Sequence, residues 1–466
     1  MAPWSRYLLT GAETWIAHAM AVAHGANTWY GIYQDNNTDA RMNTVKAVNQ
    51  FLEQNEEDLT GTRSAARVAL LWSDSTANHY QSTSEETDFT RGEDRLTEWQ
   101  QGDARGSFMG WYDALSRSRI LFDVIDEASI GDGSFQRYDL VILPESSCMS
   151  EEEAGHLEAY VRRGGKLIAS FDTAFYDEEG TRRPQPLLAD VLGLKEVVGI
   201  LPSRFDHMET EWGDPLLKGM DQSLIPAPSL SVRGKPSPGV HTVMRYRRKQ
   251  ESRYEELPDA TDFPFILRNR HGAGEAIYLT GNVGKFYECY ALPEYRTLMT
   301  NAVRELCEDW VIVETEAESL HLSLRKKKNR WMLHLINYTG SMTRPIGSVL
   351  PLRMLPIRLR IPGFQATRIW SSALQRTLPF QEANGEVITE LPELSIYDIL
   401  VVEHGSASGK CRRSLFHNTT RGKGRDAHHE KRNLPTSDTK RKTSVEIFET
   451  TSGKFPSANC QGAGCQ

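Results

Sequence analysis

Residues 140–171 read LVILPESSCMSEEEAGHLEAYVRRGGKLIASF, and this stretch decides the fold. Leu140–Leu143 is an unbroken aliphatic run, the pattern of a strand buried on both faces. Ser150 with Glu153 three residues on makes a capping box, which starts a helix by satisfying its first backbone N–H groups. Ala154, Leu157 and Val161 then fall on one helical face, and Gly164 supplies the stop. Lys166–Phe171 is a second buried strand. Strand, helix, strand is the repeat of an α/β sheet.

The same rhythm extends in both directions. Upstream, Arg67–Ser73 and Ile120–Ile125 read as strands. Between them Phe108, Trp111, Tyr112 and Leu115 share one face of a helix over 108–116. Downstream, Leu194–Thr261 is less regular. Phe265–Arg268 and Glu275–Thr280 then form a β-pair, and Pro293 opens a helix to Glu308 from its favoured first position. Residues 63–309 are therefore expected to form an α/β domain around a doubly wound parallel sheet.

Residues 1–62 read as helix Glu13–His24, stopped by Gly25, strand Ala26–Tyr33, and amphipathic helix Thr44–Glu57. One strand between two helices has no sheet to join, and the simplest account is the last turn of a (β/α)8 barrel. Residues 310–403 change period. His321–Leu324, Trp331–Ile336, Ile357–Ile361, Ala366–Trp370 and Ile399–Val402 are short strands split by turns, which predicts a β-sandwich. His404–Gln466 carries 12 Lys/Arg against 5 Asp/Glu with few aliphatic residues, and is expected to be disordered.

Composition narrows the function. The 466 residues are 39% hydrophobic and 25% charged, ordinary for a globular protein. A net charge of -8 gives no support for nucleic-acid binding. No apolar run approaches the roughly 18 residues of a membrane helix, and no signal peptide stands at the N-terminus, so a cytoplasmic location is expected. The six cysteines form no CxxC pair, and there is no HExxH. No disulfide framework, metal or cofactor is expected.

Three stretches carry a family resemblance. Gly25-Ala26-Asn27-Thr28-Trp29-Tyr30 precedes Asp39-Ala40-Arg41 and a long helix. Ser64–Ser73, SAARVALLWS, opens the α/β domain. His271–Tyr278, HGAGEAIY, continues to Gly281-Asn282 and Pro293-Glu294-Tyr295-Arg296. Together with the order barrel end, α/β domain, sandwich, these resemble glycoside hydrolases whose barrel is followed by a β-galactosidase trimerisation-type domain, as in glycoside hydrolase family 42. The resemblance implies a middle domain similar to class I glutamine amidotransferases, flavodoxin-like in its sheet, and implies a homo-oligomer. It also implies two catalytic carboxylates on barrel strands upstream of the last one, and no residue of this sequence matches either. The chain is thus expected to be the downstream, largely non-catalytic part of such a protein, with carbohydrate as the partner of a complete barrel. The alternative is a fragment of an intact retaining glycosidase whose barrel lies upstream.

Few residues qualify as site candidates. Trp29 and Tyr33, near the strand expected to close the barrel, can stack on a sugar face or serve as barrel packing. Glu13 precedes a helix and is not at a strand end. Cys148 stands just before a helix N-terminus, where a thiol pKa is lowered. However, in the amidotransferase fold the nucleophile sits on the turn after the next strand, and that turn here is Ser170-Phe171-Asp172-Thr173, without cysteine. Asp172, Asp177 and Glu178 follow the same strand, where doubly wound sheets bind ligands; they cap helices, face water or bind a cation. Gly272-Ala273-Gly274 precedes a strand and is a turn, not a phosphate loop. Arg325-Lys326-Lys327-Lys328 is expected to tip a hairpin and stay solvated.

Overall fold

The structure is a computed structural model, and it describes residues 8–31, 40–80, 102–202, 207–210, 212–248, 254–340 and 344–404. Tyr33 and the segment 405–466 lie outside these residues.

The chain begins with helices α1 (Gly11–Ala23), α2 (Met42–Gln54) and α3 (Glu56–Leu59), followed by the short strand β1 (Arg63–Ser64). Thr10 caps α1 by accepting the Glu13 N–H. Ala26–Gly31, expected to begin a strand, form none. A strand exists only beside a partner that takes its N–H and C=O groups, and no described strand lies alongside this run.

The α/β body contains β2 (Val68–Leu71), α4 (Asp74–His79), α5 (Ala104–Arg117), β3 (Phe122–Ile125), α6 (Glu127–Gly131), β4 (Leu140–Leu143), α7 (Glu151–Arg162), β5 (Lys166–Ser170) and α8 (Ala189–Leu192). It continues through β6 (Leu194–Pro202), β7 (His207–Glu209), β8 (Leu224–Pro226), β9 (Leu230–Pro236), β10 (His241–Arg247), β11 (Ala260–His271), β12 (Gly274–Leu279), α9 (Val283–Tyr290) and α10 (Pro293–Leu306). Among the described residues, nine strands form one mixed sheet in the order β3-β2-β4-β5-β12-β11-β10-β7-β8. From β3 to β12 the neighbours run parallel; from β12 onward they run antiparallel. The parallel sheet expected from the sequence is therefore extended by an antiparallel half. It is built largely from the stretch that looked irregular, where the β10–β11 and β6–β9 ladders slip register at bulges.

Period-2 alternation divides the strands between two cores. Leu140, Ile142, Ile168 and Ile277 pack with Trp111, Leu115, Val283, Leu298 and Val303 on one face. Val141, Leu143, Leu167 and Tyr278 pack with Ile130, Leu157, Val161 and Val191 on the other. Helices thus cover both faces of the parallel half, as its unbroken aliphatic strands require. The capping box of α7 is present as the sequence predicts, with both Ser150 and Glu153 bonded back to backbone.

The last part comprises β13 (Val311–Val313), β14 (Leu320–Lys327), β15 (Arg330–Asn337), β16 (Leu352–Leu359), β17 (Ala366–Ser371), β18 (Arg376–Leu378), β19 (Phe380–Ala383), β20 (Glu386–Leu394) and β21 (Tyr397–His404). A sheet β1-β14-β15-β21-β17-β18 and a sheet β13-β16-β20-β19 share one core, in which Leu322, Leu333, Ile369 and Leu400 meet Leu355, Ile357, Val387 and Leu391. This is the sandwich. Its six-stranded sheet is covered on the outer face by α1 and α2: Ala19 and Ala23 are buried against Met332, Ile336, Ile399 and Val401, with Phe51 alongside. The basic run does tip the β14–β15 hairpin, but it is not simply solvated. Arg325 donates to the Thr62 hydroxyl and carbonyl at 2.7 and 3.2 Å, and Lys327 to the carbonyls of Glu57 and Thr60. These bonds fasten the hairpin to the segment that links α3 to β1.

Candidate functional site

Trp29 stands in the loop after α1 and is 86% exposed. Gly25, with φ of 78°, turns the chain out of the helix against the Arg325 guanidinium. Beside this loop a cleft of about 630 Å³ is lined by Val22, Asn27, Thr28, Leu52, Glu56 and Arg325, among others. Trp29 does not line it. Tyr33 cannot be placed beside Trp29, because it lies outside the described residues.

The other candidates sit at the C-terminal ends of β4 and β5, and the structure separates them. Asp172 is fully buried. Asp177 instead closes a turn, its Oδ1 accepting the N–H groups of Glu179 and Thr181 at 3.1 and 2.7 Å. Glu178 is exposed and pairs with Arg183 at 3.9 Å. The three acids therefore do not converge. Among the described residues, no group of three or more His, Cys, Asp or Glu could hold a metal ion. Cys148 is buried, and its thiol is pushed up to about 12 by burial and then by the charges of Asp172, Asp177 and Glu127. Such a thiol is no nucleophile near neutral pH.

The turn after β5 is nonetheless unusual. Phe171 follows the strand with φ of 54°, a left-handed conformation rare for a bulky residue. Its N–H donates to the Leu279 carbonyl at 2.8 Å, and its own carbonyl accepts from the Tyr278 hydroxyl. Ring, turn and strand are thereby fixed, and Asp172 is held inside. Its Oδ1 accepts from the Ser147 hydroxyl at 2.5 Å, and its Oδ2 from the Tyr80 hydroxyl at 2.6 Å. Tyr80 in turn accepts the Gly102 N–H at 2.7 Å.

Sequence reasoning missed the partner of Asp172. Glu145, two residues beyond β4, has φ of 53° and is fully buried. Its Oε2 accepts from the Ser107 hydroxyl, while its Oε1 has no hydrogen-bond partner among the described residues. Burial, then the Asp172 charge, raises Glu145 well above the ordinary carboxyl range. Burial also raises Asp172, to about 6, against the opposing hydrogen bonds from Ser147 and Tyr80. Burial thus favours the neutral form at both acids, and most strongly at Glu145, which has fewer donors than Asp172. Neither carboxyl reaches the surface, so the cluster ties strand ends together and is not an open pair flanking a substrate.

The comparisons with known proteins fit this architecture. Residues 66–288 match the β-galactosidase trimerisation domain family. The β-galactosidase BbgII of Bifidobacterium bifidum is 23% identical over 206 residues, which are 42% of this chain and 26% of that protein. Among solved structures, the α-L-fucosidase isoenzyme 2 of Paenibacillus thiaminolyticus aligns over 85% of this chain and 58% of its own, at 20% identity and a TM-score of 0.66. Gan42B, a family 42 β-galactosidase from G. stearothermophilus, aligns over 85% of this chain and 51% of its own, at 16% identity and a TM-score of 0.56. The chain thus spans about a quarter of the curated relative and little more than half of these solved structures. With residues 66–288 matched to that family, the middle body of the chain is a β-galactosidase trimerisation-type domain, and the chain as a whole is similar in fold to glycoside hydrolase family 42 enzymes.

Proposed function

We propose that this chain is the assembly part of a β-galactosidase-like glycosidase, with the α/β body self-associating and the sandwich accessory to it. The observation that carries the reading is the match of residues 66–288 to a trimerisation domain. The expected assembly is a homo-oligomer, and the domain's family name makes a trimer the first candidate. The strand order β3-β2-β4-β5-β12, with helices on both faces, supports a doubly wound, flavodoxin-like parallel half. We further infer that residues 1–62 belong to the end of a (β/α)8 barrel, that 63–309 and 310–403 act as separate domains, and that Trp29, with Tyr33, faces carbohydrate when the barrel is complete.

The reaction needs two carboxylates flanking the scissile bond, roughly 5–10 Å apart. The described residues include no barrel strand, and the buried Glu145–Asp172 pair is closed to a sugar. The purified chain is therefore expected to leave aryl β-galactosides and α-fucosides unhydrolysed. Turnover that survives repurification and disappears when one carboxylate of this chain becomes its amide overturns the reading. The alternative, a fragment of an intact retaining glycosidase, predicts the same inert chain and differs in the coding sequence upstream.

A further inference from the structure

Glu145 occupies a position that only a neutral carboxyl group suits. Its Oε2 has one donor, the Ser107 hydroxyl. Its Oε1 is sealed against Gly102 so closely that a side chain at Gly102 would overlap it, and among the described residues no N–H or O–H reaches it. A buried ionised oxygen without a donor is strongly disfavoured. Asp172 is the better place for charge, having two hydroxyl donors.

The surroundings sharpen this contrast. From α5 the cluster is faced by Ser107 and Asp103, and from α9 by Lys285, which is held at 2.9 Å by Asp103. Tyr80 faces it from the end of α4, Tyr278 from β12, and Tyr176, Cys148 and Arg182 from the loops beyond β4 and β5. Lys285 is already committed to Asp103 and to Glu288, at 3.0 Å. A second negative charge on Glu145 would therefore meet Asp172 and Asp103, with Lys285 already shared between Asp103 and Glu288.

We propose that Glu145, Asp172 and Tyr80 form a proton-held latch that fastens Gly102 and the start of α5 to the C-terminal ends of β4 and β5, and that loosens as the pH rises. The contacts give the route. Gly102 is bound on one side through Tyr80 to Asp172, and covers Glu145 on the other; Ser107, one turn into α5, is bonded to Glu145 itself. Ionisation of Glu145 sets the two acids against each other away from the surface, and the Gly102–Ser107 segment is what can move away.

The sign follows from linkage. A carboxyl group whose folded value is raised contributes stability that is fully present below its unfolded value, near 4.5 for Glu145, and that is lost as the pH rises through the folded value.

The test is hydrogen exchange of the Gly102–Ser107 amides in the full chain, corrected for base catalysis of exchange itself. In the wild type, protection should fall as the pH rises from acid into the alkaline range, with a slope of roughly tenfold per pH unit, as expected for one proton. In Glu145→Gln, which keeps shape and neutrality, protection should be constant over that range. A flat wild-type profile, or a parallel fall in Glu145→Gln, overturns the proposal. If Glu145→Gln does not fold, the infrared spectrum of the wild type decides: the carbonyl stretch of a protonated carboxylic acid should persist at about pH 8, and its absence refutes the latch.

Discussion

Gly110→Ala tests the packing of α5 against α9, where Gly110 of one helix faces Gly284 of the other. A methyl group at Gly110 would overlap the carbonyl oxygen and carbon of Gly284, which are backbone atoms and have no rotamer in which to retreat. Gly110 is in the interior of a helix with no positive φ, so propensity alone favours alanine there by about 1 kcal/mol. Against this, overpacking costs about 1–3 kcal/mol. The upper end applies, because separating the helices also withdraws Trp111, Ala114 and Leu115 from Val283, Phe286 and Tyr287. The net effect is a loss of about 2 kcal/mol, which for a body of this size lowers the melting temperature by roughly 4–8 °C. Gly155→Ala is the control: Gly155 lies in the exposed middle of α7 with nothing within 4 Å of the new methyl group. It should stabilise by up to about 1 kcal/mol. Calorimetry on both variants checks the pair. A melting temperature for Gly110→Ala at or above that of the wild type would refute the close approach.

Two further expectations concern single side chains. Glu13 is buried at the start of α1, where it accepts from Arg344 Nε at 2.9 Å and from the Ile346 N–H at 3.1 Å; burial raises its pKa, but these bonds outweigh it and hold the carboxyl below its ordinary value. Its contribution is present above the unfolded value near 4.5 and is lost as the pH falls through the folded one, so Glu13→Gln should cost about 1–2 kcal/mol at neutral pH and almost nothing in acid, as read by thermal melts at both. Among the described cysteines, Cys289 is exposed while Cys148 and Cys307 are buried. Brief iodoacetamide treatment followed by peptide mass mapping should therefore find Cys289 alkylated well before the other two, and equal labelling would mean that the body opens.

How much of this was legible in the sequence depended on how strongly each segment is marked. β4, α7 and β5 were plain, because aliphatic runs and a capping box leave one local solution. The antiparallel strands β10-β7-β8 and the separate β6–β9 pair were not, since bulges in the β10–β11 and β6–β9 ladders break the period-2 signal on which strand reading depends. The failure at Ala26–Gly31 has the opposite cause: the residues suit a strand, but pairing is a property of neighbours and not of the segment. Glu145 was invisible for a third reason. It lies in a short polar run, Pro144–Ser147, that reads as an ordinary loop, and its side chain is buried against Gly102 and Ser107, remote in sequence. The only available signal was its place just beyond a parallel strand, where such sheets gather ligands and charge.

The central claim is that the chain assembles through a body matched to a trimerisation domain. Multi-angle light scattering on the purified chain at micromolar concentration tests it most directly. The account predicts a discrete oligomer whose mass is a whole multiple of 52.7 kDa, with three chains the leading candidate, held constant on tenfold dilution. A monodisperse species of 52.7 kDa at every concentration would contradict it.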